Sequence, residues 1–183
     1  MNRISLIFLV SIILLGCNRS EKQAGTYQQE VYQINKQVLN KEAKLQSQIA
    51  RVMEMQMNDS GLLINDTTDL YLQAEIEAMH NQHEELLSSI YSAKDSIQSM
   101  QKLDKYPVLK NASNEFLTAY EKIATNEYDM LIQLISLHDT SYTKEKNKAY
   151  LITRRQLNAG LDKAINNFNS SLDQFESKHF NKP

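Results

Sequence analysis

The chain has 183 residues, 42% of them hydrophobic and 23% charged, which is the composition of a folded domain and not of a disordered segment. Its 4 Gly and 2 Pro are few for this length, which argues against a turn-rich β-sandwich, a barrel or a glycine-rich phosphate-binding loop. Lys and Arg number 20 and Asp and Glu number 22, so the chain has no excess of positive charge with which to bind nucleic acid.

Residues 1–16 have the pattern of a signal peptide. Arg3 supplies a positive charge near the amino terminus, and a 12-residue apolar run from Ile4 to Leu15 follows it. This run is shorter than the roughly 20 apolar residues that a membrane-spanning helix needs. The sequence therefore predicts a segment that directs export.

The four residues at the end of this run indicate a particular class of exported protein. Leu14-Leu15-Gly16-Cys17 resembles the lipobox of bacterial lipoproteins, and Cys17 is the only cysteine of the chain. The resemblance implies cleavage before Cys17, a covalent lipid on its sulfur and a membrane anchor; no other cofactor is expected. It also implies a place in the cell envelope. Asn18 is not the aspartate that retains such proteins at the inner membrane of enteric bacteria. In a cell with two membranes, the outer membrane is therefore favoured over the inner one.

Four long amphipathic helices are expected after the anchor. Apolar residues recur at alternating spacings of four and three, which keeps one face of each helix turned toward a common partner. The predicted core face of the first helix is Tyr27, Val31, Ile34, Val38, Lys41, Leu45, Gln48, Val52 and Met55. That of the second is Leu72, Ile76, Met79, His83, Leu86, Ile90, Ala93, Ile97 and Met100. That of the third is Leu109, Ala112, Phe116, Tyr120, Ile123, Glu127, Met130, Leu134 and Leu137. That of the fourth is Tyr150, Arg154, Leu157, Leu161, Ala164 or Ile165, Phe168, Leu172 and Phe175. Thr26 and Gln29 resemble a capping box at the start of the first helix, and Pro107 either ends the second helix or opens the third. Gly160 is expected to allow close approach of two helices. The predicted spans are 27–57, 67–104, 107–138 and 142–180.

Matched helix lengths and short turns predict an all-α fold, an antiparallel up-down-up-down four-helix bundle over residues 26–183. Residues 17–25 are expected to be the lipidated cysteine and a polar tether; the eight residues after Cys17 reach at most about 28 Å. Because the first helix leads away from the lipid, the turn near residue 105 and the carboxyl terminus are expected to face the membrane.

Four polar residues interrupt the apolar stripes at one level of the predicted bundle: Lys41, His83, Glu127 and Arg154. One interpretation is a polar layer that fixes the register of the helices, with Glu127 paired to Arg154. A second is a site for a small anionic ligand, bound by Arg154 and Lys41. A third is that these side chains reach solvent along their stems.

The sequence contains only weak indications of metal binding and none of catalysis. Glu77–His80 and Glu176–His179 resemble the Glu-x-x-His motifs of di-metal bundles, but the antiparallel order separates them, so no metal site is predicted. The pair His80 and His83, and the three methionines of 53–57, leave a metal carrier as an alternative. No nucleophile motif is visible, so no catalytic residue and no enzymatic activity are expected.

The loop at 58–66 contains an apolar run, Leu62, Leu63 and Ile64. These side chains either fold back over the core or form an exposed tip where a partner docks. The expected function is that of a membrane-anchored extracytoplasmic lipoprotein acting as a non-catalytic binding or scaffolding module, with the membrane and an envelope protein as partners. The chain is similar in this respect to uncharacterised helical-bundle surface lipoproteins. The alternative is a carrier or sensor of a metal or small ligand.

Replacing Leu63 with Asp separates the two interpretations of the loop. If the loop covers the core, Leu63→Asp lowers the melting temperature; if it docks a partner, the melting curve is unchanged and a partner captured by crosslinking in the native envelope is lost. If neither quantity changes, both interpretations are wrong.

Overall fold

The computed structural model describes residues 19–59, 66–136 and 144–180, and all regular structure within these residues is helical. The all-α class is therefore confirmed. The signal peptide, Cys17 and the loop residues Leu62–Ile64 lie outside the described residues. The elements are α1 (Arg19–Asp59), α2 (Asp66–Ser99), a 3₁₀ turn (Gln101–Lys105), α3 (Pro107–Ile123), a π turn (Ala124–Tyr128), α4 (Asp129–Ser136) and α5 (Lys144–His179).

The helices pack mainly in two pairs, α1 against α2 and α3 against α5. The pairs are joined because α2 and α1 both contact α3. Apolar side chains from every helix meet in one core, in which Leu45 of α1, Leu86 of α2, Phe116 of α3 and Leu157 of α5 are buried. Burial of this shared face, more than the helical tendency of any one segment, holds helices of this length together.

α1 begins at Arg19, so the helix includes residues that were expected to form a tether. Thr26 does not cap it: its hydroxyl donates to the carbonyl of Lys22 at 3.0 Å, a bond inside the helix. Ala24 is fully buried, and Phe180 Cζ would lie 3.8 Å from a β-carbon placed on Gly25. The helix extends because its first turns pack against the end of α5, which the local sequence pattern does not reveal.

The buried face of α1 differs by one residue from the predicted face at three levels. Val38 is fully buried as predicted. In contrast, the buried residues Asn35, Glu42 and Ile49 replace Ile34, Lys41 and Gln48, which are partly exposed. α1 packs against both α2 and α3, so its buried face is set by two neighbours. Asn35 and Glu42 tolerate burial because each has a hydrogen-bond partner on another element.

The third helix changes phase at the π turn. Up to Ile123 its buried residues are the predicted ones, but beyond it Tyr128 and Leu131 are buried where Glu127 and Met130 were predicted. A π turn accommodates one extra residue in a continuous helix. One residue corresponds to a rotation of about 100° at 3.6 residues per turn, which is the observed shift of the buried face.

Pro107 and Gly160 have the structural roles that the sequence predicted. Pro107 is the first residue of α3, where its missing N–H leaves no helix bond unmade. At Gly160 a β-carbon would lie 3.2 Å from Ile123 Cδ1, tighter than ordinary packing. Gly160 therefore lets α5 approach α3 closely, as predicted.

Deleting Asn126 is expected to convert the π turn into regular α-helix. Asn126 is exposed, and its deletion removes the extra residue that the π turn accommodates. Tyr128 and the residues after it therefore keep the same face buried in a regular helix. We expect the free energy of unfolding, measured in urea, to change by no more than about 1.5 kcal/mol, the value of the one hydrogen bond that His83 makes to this turn.

Deletion of Thr118 is the matched control. Thr118 is also exposed, but it lies in regular helix, so its deletion rotates the following core residues away from their partners. That variant should lose several kcal/mol, as buried side chains leave the core. Equal destabilisation by the two deletions would contradict the explanation given for the phase shift.

Candidate functional site

A buried polar cluster joins α1 to the π turn. The Tyr128 hydroxyl donates to Glu42 Oε1 at 2.5 Å and accepts from Gln46 Nε2 at 3.1 Å. The Gln46 amide also donates to the Glu42 carboxylate, one helical turn away on the same face. Tyr128 has no exposed surface and Glu42 is 9% exposed. A carboxylate so removed from water needs such donors to remain in the core.

This environment changes the acidity of the phenol. Burial raises the pKa of Tyr128 above its ordinary value, and the charge and hydrogen bond of Glu42 raise the pKa further. The hydrogen bond from Gln46 opposes this rise. Tyr128 is therefore a neutral hydrogen-bond donor whose role is to hold the Glu42 carboxylate.

His83 reaches the same turn from α2. Its Nε2 lies 2.8 Å from the carbonyl oxygen of Ala124, the first residue of the π turn. Because a carbonyl only accepts, the proton of this bond must be on Nε2. The imidazole thus supports the turn at the point where the helix departs from regular geometry.

The structure does not bring together the four residues of the predicted polar layer. Lys41 forms a salt bridge to Glu85 of α2 at 2.6 Å, and both side chains are well exposed. Arg154 is exposed, and its guanidinium donates to the Tyr150 hydroxyl at 3.3 Å. Glu127 is partly buried, and no Glu127–Arg154 ion pair occurs among the described residues. The expected pairing fails because Arg154 is exposed, whereas Glu127 remains partly buried, with its Oε2 enclosed and without a hydrogen-bond partner.

Polar groups nevertheless occupy the interior near that level, one residue away in the sequence. Glu42 stands next to Lys41, Tyr128 next to Glu127, and the buried Thr153 next to Arg154. The Thr153 hydroxyl lies 3.4 Å from Met130 Sδ. The positions of the turns predicted how far along the helices these polar groups lie, but they did not predict which face of each helix carries them.

The residues considered for metal binding are engaged elsewhere. His80 Nε2 lies 3.1 Å from Ser136 Oγ of α4, whereas the ring of His179 packs 5.4 Å from that of Tyr106. Met53 is buried in the core. Within the described ranges, no three His, Cys, Asp or Glu side chains are grouped so that they could hold a metal ion.

An open groove of 330 Å³ runs between α1 and α2. The Lys41–Glu85 salt bridge lies in it, and the hydrogen bond and charge of Lys41 lower the pKa of Glu85. Serine hydroxyls of α2 line the rest of one wall: Ser88, Ser89, Ser92 and Ser96. The groove thus presents a cation, an anion and hydroxyl groups to solvent.

Comparisons of the chain with protein-family models, with curated proteins and with solved structures give no match. None of the helices in the described part of the chain combines the length and the apolar character needed to cross a membrane. The function is therefore inferred from the residues and their arrangement.

Tyr128→Phe should destabilise the protein by about 1–3 kcal/mol, because it removes a donor from a buried carboxylate while keeping the ring. Urea unfolding measures this difference. Tyr91→Phe, at a position 47% exposed, is the control and should change stability by less than about 0.5 kcal/mol. A loss at Tyr128 no larger than at Tyr91 would show that Glu42 does not depend on the phenol.

Stability should also fall at alkaline pH in a way that depends on Tyr128. The pKa of Tyr128 is raised in the folded state, so its contribution is complete below the unfolded value of about 10 and declines as the pH rises above it. The native protein should therefore lose more unfolding free energy than Tyr128→Phe over this alkaline range. Parallel pH profiles of the two proteins would refute the assignment.

Proposed function

We propose that the protein is a membrane-anchored extracytoplasmic lipoprotein that acts as a non-catalytic binding or scaffolding module in the cell envelope, with the outer membrane favoured. The observation that carries the proposal is the motif Leu14-Leu15-Gly16-Cys17 at the end of a 12-residue apolar run. A lipid on the only cysteine of the chain would supply the membrane attachment.

We further propose that the helices form an antiparallel up-down-up-down bundle. Hydrogen-bond partners support this order: from Lys41 to Gln48 along α1, the partner on α2 moves back from Glu85 to Glu75. The same reversal relates α2 to the third helix, where His83 pairs with Ala124 and Lys94 with the earlier residue Glu121. Such a bundle would carry binding surfaces along its sides and at its far end.

Exposed apolar side chains support a role in binding another protein. Leu151 and Ile152 of α5 are 53% and 46% exposed, and Met130 of α4 is 54% exposed beside Thr153. The buried Glu42 and Tyr128 are bonded to each other, whereas these exposed apolar side chains are free to contact another protein. An envelope protein is the partner that such a surface would suit.

A small polar ligand is the second candidate, and the groove between α1 and α2 favours it. Lys41 and Glu85 offer opposite charges beside serine hydroxyls.

Metal analysis of the purified full-length protein distinguishes a metal carrier from a protein-binding module and from a carrier of a small polar ligand. Stoichiometric copper or zinc would support the metal carrier and contradict a module that only binds proteins.

Cys17→Ser should abolish lipid attachment, because the hydroxyl replaces the sulfur that the lipid would modify. We expect this variant to leave the membrane fraction or to retain its signal peptide, as measured by fractionation and by intact mass. Ser20→Ala, outside the motif, is the control and should fractionate like the native protein. Unchanged membrane association and unchanged mass in Cys17→Ser would overturn the lipoprotein assignment.

A further inference from the structure

Three segments of the chain meet at one end of the molecule around a set of aromatic rings. Tyr106 lies between the 3₁₀ turn and α3, and its ring centroid is 5.7 Å from those of Tyr27 in α1 and Phe175 in α5. The ring centroid of His179 is 5.4 Å from that of Tyr106, and the ring centroids of Phe180 and Phe175 are 6.2 Å apart. We call this set of five residues the aromatic end.

The outer side of the aromatic end combines apolar and basic side chains. Val108 and Phe180 are 36% and 38% exposed, although both are large and apolar. In the same two segments of the chain, Lys102, Lys105 and Lys178 are exposed. Exposed apolar side chains such as Phe enter the boundary between headgroups and acyl chains, tyrosine rings favour the headgroup level, and lysines near the surface are attracted to anionic lipids.

Both carboxylates of residues 101–110 and 175–180 have partners in the structure. Asp104 forms a salt bridge with Lys110 at 2.6 Å, and Glu176 accepts a hydrogen bond from Gln28 at 2.6 Å. Residues 101–110 and 175–180 together contain four lysines and these two carboxylates. The excess of positive charge is what an anionic lipid surface would attract.

The position of the anchor adds an independent argument. α1 begins at Arg19, two residues after Cys17, and two residues span at most about 7 Å. The start of α1 belongs to the aromatic end, since Gly25 lies against Phe180 and Tyr27 against Tyr106. A lipid on Cys17 would thus hold this end, and not the far end, at the bilayer.

We propose that the aromatic end lies directly on the lipid headgroups of the leaflet that holds the acylated Cys17. This inference rests on the proposed lipid anchor. Phe180 and Val108 enter the interface, while Lys102, Lys105 and Lys178 contact anionic headgroups. Attachment through both the lipid and this surface orients the helices, so the opposite end points away from the membrane.

Fluorescence quenching of the lipidated full-length protein in vesicles tests the proposal. Because the only native cysteine would be acylated, a cysteine introduced by Val108→Cys takes a single fluorophore. In vesicles of phosphatidylethanolamine and phosphatidylglycerol, headgroup-labelled nitroxide lipids should quench most of its fluorescence. Leu70→Cys is the matched control: it is also exposed, but about 44 Å of α2 (29 residues at 1.5 Å) separates it from Ser99, and it should remain bright.

Charge reversal tests the lysines. Combining Lys102→Glu, Lys105→Glu and Lys178→Glu should remove most of the quenching at position 108, while the protein still floats with the vesicles through its lipid. The same reversal at three exposed lysines elsewhere, Lys122, Lys148 and Lys163, should leave the quenching unchanged.

The possible failures are distinguishable. If the protein floats with the vesicles but the labels at 108 and 70 are quenched alike, the surface contact is wrong and the anchor stands. If the label at 108 is shielded from an aqueous quencher without being reached by the lipid quencher, a protein covers this end and the proposal is overturned. If the protein does not float at all, the lipid anchor fails and this inference fails with it.

Discussion

The hydrogen bond between Tyr128 and Glu42 connects the first helix to the third inside the core, and its geometry depends on the π turn. In an uninterrupted helix the apolar repeat that runs through Ile123 would turn Glu127 inward. A second carboxylate would then face the region of Glu42, and two buried carboxylates repel each other and lose their hydration. The extra residue of the π turn replaces that arrangement by a phenol that donates to the carboxylate.

Two neighbouring hydrogen bonds reinforce the Tyr128–Glu42 contact at the π turn. His83 uses its protonated Nε2 to bind the carbonyl at the start of the turn, so α2 is held at the same level as the Tyr128–Glu42 bond. The Ser113 hydroxyl donates to Asn35 Oδ1 at 3.0 Å, a second buried polar link between α1 and α3. Directional bonds of this kind favour one register of the helices over others, which an apolar interface alone does only weakly.

The two ends of the molecule then have different chemistry. The end built from the start of α1, the 3₁₀ turn and the end of α5 is aromatic and basic, and it follows Cys17 within a few residues. The sides carry exposed apolar residues of α4 and α5 and the polar groove between α1 and α2. In the proposed function, the first surface positions the protein on lipid and the others remain free for recognition.

The sequence by itself determined the helical class, the start of α3 at Pro107 and the core face of α2, where Met79, Leu86 and Ile90 are buried as predicted. These features depend on local backbone geometry and on a regular repeat of apolar residues. Tertiary structure alone decided the early start of α1, the burial of Asn35 and Glu42, and the phase change after Ile123. Each of these depends on a partner far away in the chain: α5 packs against the start of α1, Ser113 donates to Asn35 Oδ1, and Tyr128 donates to Glu42. A repeat read along one helix cannot specify which of two adjacent residues such a partner will meet.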